Sequence, residues 1–379
     1  MSSATRPIRI GIVGCGQIAQ IMHLPHLRQL DELFQLTALC DVSPGVLAYC
    51  GERWHVEPAQ RYASTEAMVE RAGLDAVLVC DVLHSDASVT ALNAGCHVLV
   101  EKPMAHSLQE CDRMLEAAAK SGKTLMMAYM KRFDPAYEYA QARVAKRSDV
   151  FHVRAHDFVG PNGAFTGDIH RTVVFKDIPP GNDAREVMRK RMNQALEGRS
   201  EPAAGHVYGT LLGLCTHDLT ILRGMFGSPK RVKSALYGRG GRTFHALLDY
   251  GDQITGVFEY ANLKLKKFDE VLSIYADSEV IHVKFPSPYV PFAPTVVELW
   301  EPDGPGKADR PDAPDLPDGP AGQGFKESFV MPSLDEAFRR ELQHFAHCVR
   351  TGAKPRTTPE DGREDVRMCI EMTKAALQG

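Results

Sequence analysis

No stretch of the 379-residue chain approaches the about 20 consecutive apolar residues that a membrane-spanning helix requires, and apolar runs such as Ala76 to Cys80 break off after a few positions. No block of Lys and Arg is present either. The 44 basic side chains are outnumbered by 48 acidic ones, for a net charge of −4, which argues against nucleic acid as a partner because phosphate binding needs clustered cations. The nine cysteines form no CxxC pair, and Cys40, Cys80 and Cys96 lie in or beside apolar segments. Neither a disulfide framework nor a zinc site is indicated. His23 with His26, and His344 with His347, have helical spacing but no evident third ligand, so solvated or interfacial histidines are expected there and no metal. No charged leader and apolar export segment precede the first apolar run at Ile8 to Val13, which predicts a cytoplasmic protein.

What is present is an ordinary globular composition, 44% hydrophobic and 24% charged, in a chain longer than the roughly 250–300 residues that one core supports. Two domains are expected, 1–125 and 126–379. In the first, short apolar runs alternate with helical stretches: Ile8 to Val13, Gln35 to Cys40, Ala76 to Cys80, His97 to Val100 and Thr124 to Ala128 are the candidate strands. That rhythm predicts βαβ units and a doubly wound parallel sheet of the Rossmann kind. Ser107 followed by Glu110 reads as a capping box opening a helix to Ser121, and Gly95 and Gly122 fall where C-caps belong.

After about residue 125 the pattern changes to consecutive strands joined by turns, at Val150 to Phe158, Arg231 to Tyr237, Thr243 to Tyr250, Gln253 to Ala261, Val271 to Ala276 and Glu279 to Phe285. This predicts an α/β domain with a mainly antiparallel sheet. Helices are expected at Ala184 to Glu197, an amphipathic lid or interface element, at Gly209 to Phe226, at Leu334 to Arg350 behind a Ser333 and Glu336 cap, and at Pro359 to Ala376. The last two are candidates to pack back on the first domain. Residues 301–324, crowded with Pro, Gly and Asp, read as a long surface loop.

Gly14-Cys15-Gly16-Gln17-Ile18-Ala19 follows the first strand and opens a helix. Gly14 permits the tight turn, Gly16 lets backbone approach a pyrophosphate, Ala19 allows close helix–strand packing, and the helix N-terminus favours the anion. Asp41 ends the second strand where a carboxylate would accept from the adenosine ribose; it would repel a 2′-phosphate, and no Arg follows in Val42-Ser43-Pro44. NAD(H) is therefore expected in preference to NADP(H), although Asp41 also reads as an N-cap. Glu101-Lys102-Pro103 closes the fifth strand at the sheet edge where ligands bind in such folds, while an isolated Glu-Lys pair reads more readily as a surface turn. His156-Asp157-Phe158 ends a strand of the second domain, which makes Asp157 a candidate to line a substrate pocket.

Taken together, Gly14 to Ala19, Ala94-Gly95-Cys96-His97-Val98-Leu99-Val100-Glu101-Lys102-Pro103 and the helix holding His217-Asp218-Leu219 resemble the Gfo/Idh/MocA oxidoreductases over most of the chain. The resemblance implies a Rossmann domain followed by an α/β domain whose open sheet serves as an oligomer interface, hence a homodimer or homotetramer acting on a small carbohydrate-like substrate. It places Lys102 in the active site before a cis Pro103, puts His217 against nicotinamide and substrate as acid/base, and assigns His84 to the cofactor side and Arg132 to the substrate pocket. Gln17, Ile18 and Glu101 join the cofactor contacts. Two departures stand out: the family's Asp four residues before the His is Gly213 here, and Val79-Cys80-Asp81 replaces a usual Thr-Pro-Asn.

Hydride loss from a carbinol carbon requires the hydroxyl to lose its proton, a task suited to His217, with Lys102 polarising the same oxygen. A dehydrogenase or reductase of a sugar, cyclitol, polyol or glycoside is expected. Two alternatives remain: a glycosidase using transient oxidation on NAD, and a non-catalytic NAD-sensing regulator, for which Gly213 is the argument.

Overall fold

The computed structural model describes residues 6–378 apart from 162, 168, 199–200, 252, 292 and 303–324. The first domain runs β1 (Ile8–Val13), α1 (Leu24–Gln29), β2 (Phe34–Cys40), α2 (Pro44–Arg53), β3 (Arg61–Tyr62), α3 (Thr65–Arg71), β4 (Ala76–Val79), α4 (His84–Asn93), β5 (His97–Glu101), α5 (Leu108–Ser121) and β6 (Leu125–Ala128). Its six strands are parallel, in the order β3-β2-β1-β4-β5-β6. All four residues of β4 are buried, as a strand covered by helices on both faces requires, which is why its apolar run is unbroken. The order reverses between β1 and β4, which opens a crevice at the C-terminal ends of the strands.

The expected helix ends of α5 are present. Ser107 Oγ accepts from the Glu110 N–H, the Glu110 carboxylate accepts from the His106 N–H at 3.2 Å, and Gly122 ends the helix at φ 65°. The helix after the glycine loop begins with a wide π turn, Ala19–His23, before α1. Pro25 has no N–H to offer the Ile21 carbonyl, and the wide turn lets the Leu24 N–H reach the Ala19 carbonyl instead.

The second domain contains α6 (Pro135–Val144), β7 (Val150–Val159), α7 (Gly163–Thr166), α8 (Ala184–Ala195), α9 (Pro202–Thr210), α10 (Thr216–Phe226), β8 (Arg231–Gly238), β9 (Thr243–Asp249), β10 (Thr255–Asn262), β11 (Phe268–Ala276), β12 (Glu279–Phe285), β13 (Val296–Pro302) and β14 (Phe325–Val330). The eight strands form one open sheet, β14-β13-β12-β11-β7-β10-β9-β8, antiparallel except for the β7–β10 pair. Two helices close the chain, α11 (Ala337–Thr351) and α12 (Pro359–Ala376). α12 contacts β6 and α5 of the first domain and β8 of the second, and buried residues of both domains form one continuous apolar cluster from Val13 to Ala376.

Several expectations need correction. β6 belongs to the parallel sheet, so the first domain extends past residue 125. The helix expected from Gly209 starts at Pro202 and is interrupted by a π turn, Leu211–Cys215. β13 and β14 are additional strands; residues 301 and 302 complete β13, and the rest of the expected loop lies outside the described residues. The Ser333 cap is absent: Ser333 Oγ accepts from the Asp335 N–H, a local turn that competes with helix, so α11 starts at Ala337 and leaves Leu334 73% exposed.

Candidate active site

Gly14 sits at φ 86°, and a Cβ there would come within 2.4 Å of the Asp81 nitrogen, so only glycine lets the turn close on the end of β4. At Gly16, by contrast, a Cβ would meet nothing within 4 Å. That exposed backbone at the start of a helix is the open cradle a pyrophosphate needs. Gln17 is exposed beside it, Ile18 is half-buried, and Ala19 is buried against the sheet. Asp41 is half-buried and ties the loop ends together, accepting from the Cys15 and Ser43 N–H groups, each at 2.8 Å, while Ser43 rather than Asp41 caps α2. A dinucleotide fits this arrangement: backbone at Gly16 for the phosphates, Asp41 for the ribose.

A segment of the second domain reaches back to the same crevice. The Gln20 side-chain amide holds both backbone groups of Val173, accepting from its N–H at 2.9 Å and donating to its carbonyl at 3.1 Å. Asp177 then accepts from the Ser43 hydroxyl at 2.5 Å and from the Gly45 N–H at 2.7 Å, at the N-terminus of α2.

The strand end at Glu101 aims Lys102 away from the first sheet. Glu101 is 5% exposed and fully engaged: it accepts from His23 Nε2 at 2.7 Å and from the Lys102 N–H at 3.1 Å. Burial works against its charge, but the His23 hydrogen bond and the neighbouring cations hold its carboxyl below the ordinary value. The Lys102–Pro103 peptide is cis, and the Lys102 ammonium donates to the Gly213 carbonyl at 2.7 Å. Gly213 lies in the π turn ahead of α10, with nothing within 4 Å of where its Cβ would be. That vacant wall belongs to a cleft of about 1370 Å³, also walled by Pro103, Leu212, Met188 and Met192 and rimmed by Arg185, Arg189, Arg242 and Lys264 against a single carboxylate, Glu201. His217 follows on the first turn of α10. Burial, then Lys102 and Lys131, push its pKa well below the ordinary value, so it is neutral at neutral pH; burial likewise lowers Lys102.

Beneath these groups lies a buried charge cluster. Asp157 of β7, Asp218 of α10 and Glu270 of β11 are at most 2% exposed, with one oxygen of each within 4.8 Å of the others, within reach of a common ion. Lys131 is the cation found there, paired with Glu270 and 3.7 Å from Asp218, its ammonium 4.8 Å from the Phe285 ring centre. Burial raises both aspartate pKa values, and Asp218 raises Asp157 further.

The structure thus brings Lys102, His217 and Gly213 together, and separately gathers Gly14, Gly16, Gln17, Ala19 and Asp41. Asp157 is buried in the charge cluster with Asp218 and Glu270 and is not among the residues that line the cleft. Arg132 turns away: its guanidinium donates to the Thr220 carbonyl at 2.9 Å and packs on Gly224, and its neighbour Lys131 enters the site instead. His84 lines the cleft but commits Nδ1 to the Pro103 carbonyl at 2.6 Å. His23 and His26, expected to be solvated or interfacial, are buried, His26 against Glu336 at 2.5 Å. Sequence reasoning also missed Glu341, wholly buried with its carboxyl pKa raised by burial and by Glu101. An isolated Glu on the apolar face of a helix was its only signal.

A doubly wound parallel sheet with a glycine phosphate cradle, joined to an open, mainly antiparallel sheet, defines a two-domain protein with a dinucleotide-binding fold. Residues 8–129 carry the finer likeness: they match the Gfo/Idh/MocA family model, described as an oxidoreductase family with an NAD-binding Rossmann fold. A myo-inositol 2-dehydrogenase of Thermotoga maritima is 35% identical over 129 residues, 34% of this chain and 37% of that protein. An inositol 2-dehydrogenase of Paracoccus denitrificans is 29% identical over 177 residues, 44% and 51% of the two chains. A D-glucoside 3-dehydrogenase of Escherichia coli is 32% identical over 129 residues, 34% and 36%. The chain therefore matches between about a third and a half of the length of these curated relatives. Among solved structures, aldose-aldose oxidoreductase from Caulobacter crescentus superposes with TM-score 0.70 at 20% identity, covering 99% of this chain and 98% of that one, which establishes the shared fold. No described helix is long and apolar enough to cross a membrane.

Proposed function

We propose that this chain is an NAD(H)-dependent oxidoreductase acting on the CH–OH or C=O carbon of a sugar, cyclitol, polyol or glycoside, with Lys102 and His217 as catalytic groups. The observation that carries the reading is the meeting of the Lys102 ammonium, His217 and the vacant Gly213 wall beside the dinucleotide crevice. The dinucleotide, when bound, supplies the hydride acceptor. His217, held neutral, takes the hydroxyl proton, and Lys102 polarises the same oxygen as negative charge grows on it. The Gly213 carbonyl holds the Lys102 side chain in place, and the Asp157–Asp218 pair with Lys131 underlies both groups. NAD is preferred to NADP because Asp41 stands at the ribose position with no Arg in the next residues. The four cations against one carboxylate around the cleft favour a substrate bearing a phosphate or carboxylate. The open sheet, exposing Leu236 and Leu247, is the surface through which a homodimer or homotetramer would form.

The test is a screen of purified protein with NAD and NADP against neutral carbohydrates and their phosphate- or carboxylate-bearing counterparts, following NADH absorbance. Substrate-dependent NADH formation abolished in Lys102→Ala and His217→Ala is the expected result; unchanged turnover in both variants would sink the assignment. A second reading, in which cofactor is reduced and reoxidised within one turnover as in NAD-dependent glycosidases, is favoured by the segment anchored at Gln20 and Ser43 beside the crevice. Product formation without free NADH would identify it.

A further inference from the structure

Residues 173–178 form a strap from the second domain to the first, seated on two parts of the dinucleotide crevice that lie far apart in sequence. One anchor is Gln20, on the turn that follows the phosphate cradle; the other is the start of α2, directly after Asp41. The seat is shaped for the strap. A Cβ at Gly45 would come within 2.6 Å of the Phe175 ring and 2.7 Å of Asp177 Oδ2, so glycine at the second position of α2 is explained by the strap rather than by the helix. Nor does the strap pack for its own burial: Val174 is 86% and Ile178 53% exposed. The order it carries is concentrated in the contacts to Gln20, Ser43 and Gly45.

The start of α2 presents the Gly45 and Val46 N–H groups, which have no partner within the helix, and the positive end of a helix dipole, the place where an anion on the adenosine 2′-oxygen would be received. Asp177 already takes the Gly45 N–H and the Ser43 hydroxyl there, and Asp41 holds the Ser43 N–H. Two carboxylates, Asp41 and Asp177, are therefore gathered at the start of α2, at the ribose end of the crevice. The nearest cation on the strap is exposed Lys176, and Arg53 at the far end of α2 is over the Trp54 ring.

We propose that Asp177 is a cofactor-specificity residue: it closes the strap over the adenosine end of the crevice and excludes a 2′-phosphate, so that the chain selects NAD and releases it slowly. This rests on the dinucleotide-binding reading above. Selection comes from like-charge repulsion and from loss of the N–H donors a phosphate would need; slow release comes from the strap having to lift.

The experiment measures NAD and NADP binding to the unliganded protein by calorimetry at low salt, and NADH dissociation by stopped-flow fluorescence. Wild type is expected to bind NAD more tightly than NADP. Asp177→Asn should shift the ratio of the two dissociation constants toward NADP by about tenfold, the scale of one unscreened charge pair a few ångströms apart. Gly45→Ala, a change that favours helix while colliding with Phe175, should narrow the same ratio and speed NADH dissociation. Gln20→Ala should speed dissociation and leave the ratio in place. Equal affinity in wild type, an unmoved ratio in Asp177→Asn, or tight NADP binding that disappears in Lys176→Ala would overturn the proposal while leaving a dinucleotide-binding protein. Failure to bind either dinucleotide would overturn the parent reading as well.

Discussion

Lys131 and Arg132 are neighbours on one short turn, yet their side chains diverge, Lys131 into the acidic cluster and Arg132 onto α10. Lys131→Met would leave Asp157, Asp218 and Glu270 buried without their cation; the expected loss is about 3–5 kcal/mol, read as a lower denaturation midpoint. Adding Asp218→Asn and Glu270→Gln should recover part of it. At the cleft, His217 is pushed well below the ordinary histidine value and Lys102 is lowered as well. Oxidation should therefore lose no rate as pH falls through about 6.5, where an ordinary histidine would gain its proton, and should decline on the alkaline side before about 10.5 as Lys102 is neutralised. In Lys102→Arg the alkaline decline should move up, because a guanidinium stays charged, at reduced kcat. A pH–rate profile with an acid limb near 6.5 would contradict the assignment to His217.

At the scale of elements, α12 carries a complete capping box, Thr358 Oγ1 accepting from the Asp361 N–H while Asp361 Oδ2 accepts from the Thr358 N–H. Thr358→Ala should cost about 1 kcal/mol by denaturant titration. Local signals of this kind made much of the fold legible: the strand–helix alternation, the α5 caps and the bounds of α12 are short-range chemistry written in adjacent residues. What was not legible depends on partners far along the chain. The π turn before α10 gives no composition signal, and Gly205 and Gly209 obscure α9. Of two adjacent basic residues, sequence alone does not say which one turns inward. Asp177 sits 134 residues from Ser43, a pairing that only the folded chain reveals. The glycine loop was legible because one local pattern, strand–glycine turn–helix, fixes it, whereas Lys102 and His217 stood out only through the wider family resemblance.

For the whole molecule, the continuous apolar cluster and α12, packed on both domains, couple the two halves. Calorimetry should show one cooperative transition, and two separated peaks would contradict that coupling. One buried group works toward a lower midpoint on acidification. His84 is buried with its pKa lowered to about 4, chiefly by burial, whereas the unfolded chain titrates near 6.5. Above about 6.5 both states are neutral; between about 6.5 and 4 only the unfolded state takes the proton, which removes about 3 kcal/mol by pH 4. His84→Gln should flatten that slope while losing about 1 kcal/mol at neutral pH with the Pro103 hydrogen bond.

The Lys102 ammonium leans on a main-chain carbonyl, which every amino acid possesses, at a position where a side chain would meet only open space. No substitution at 213 deletes that acceptor, and many would fit. Position 213 is thus a place where sequence drift can redraw the cleft wall, and with it the range of molecules admitted, without disarming the amine. Gly213→Asp or Gly213→Ser would be the natural starting points for redirecting the protein to new compounds.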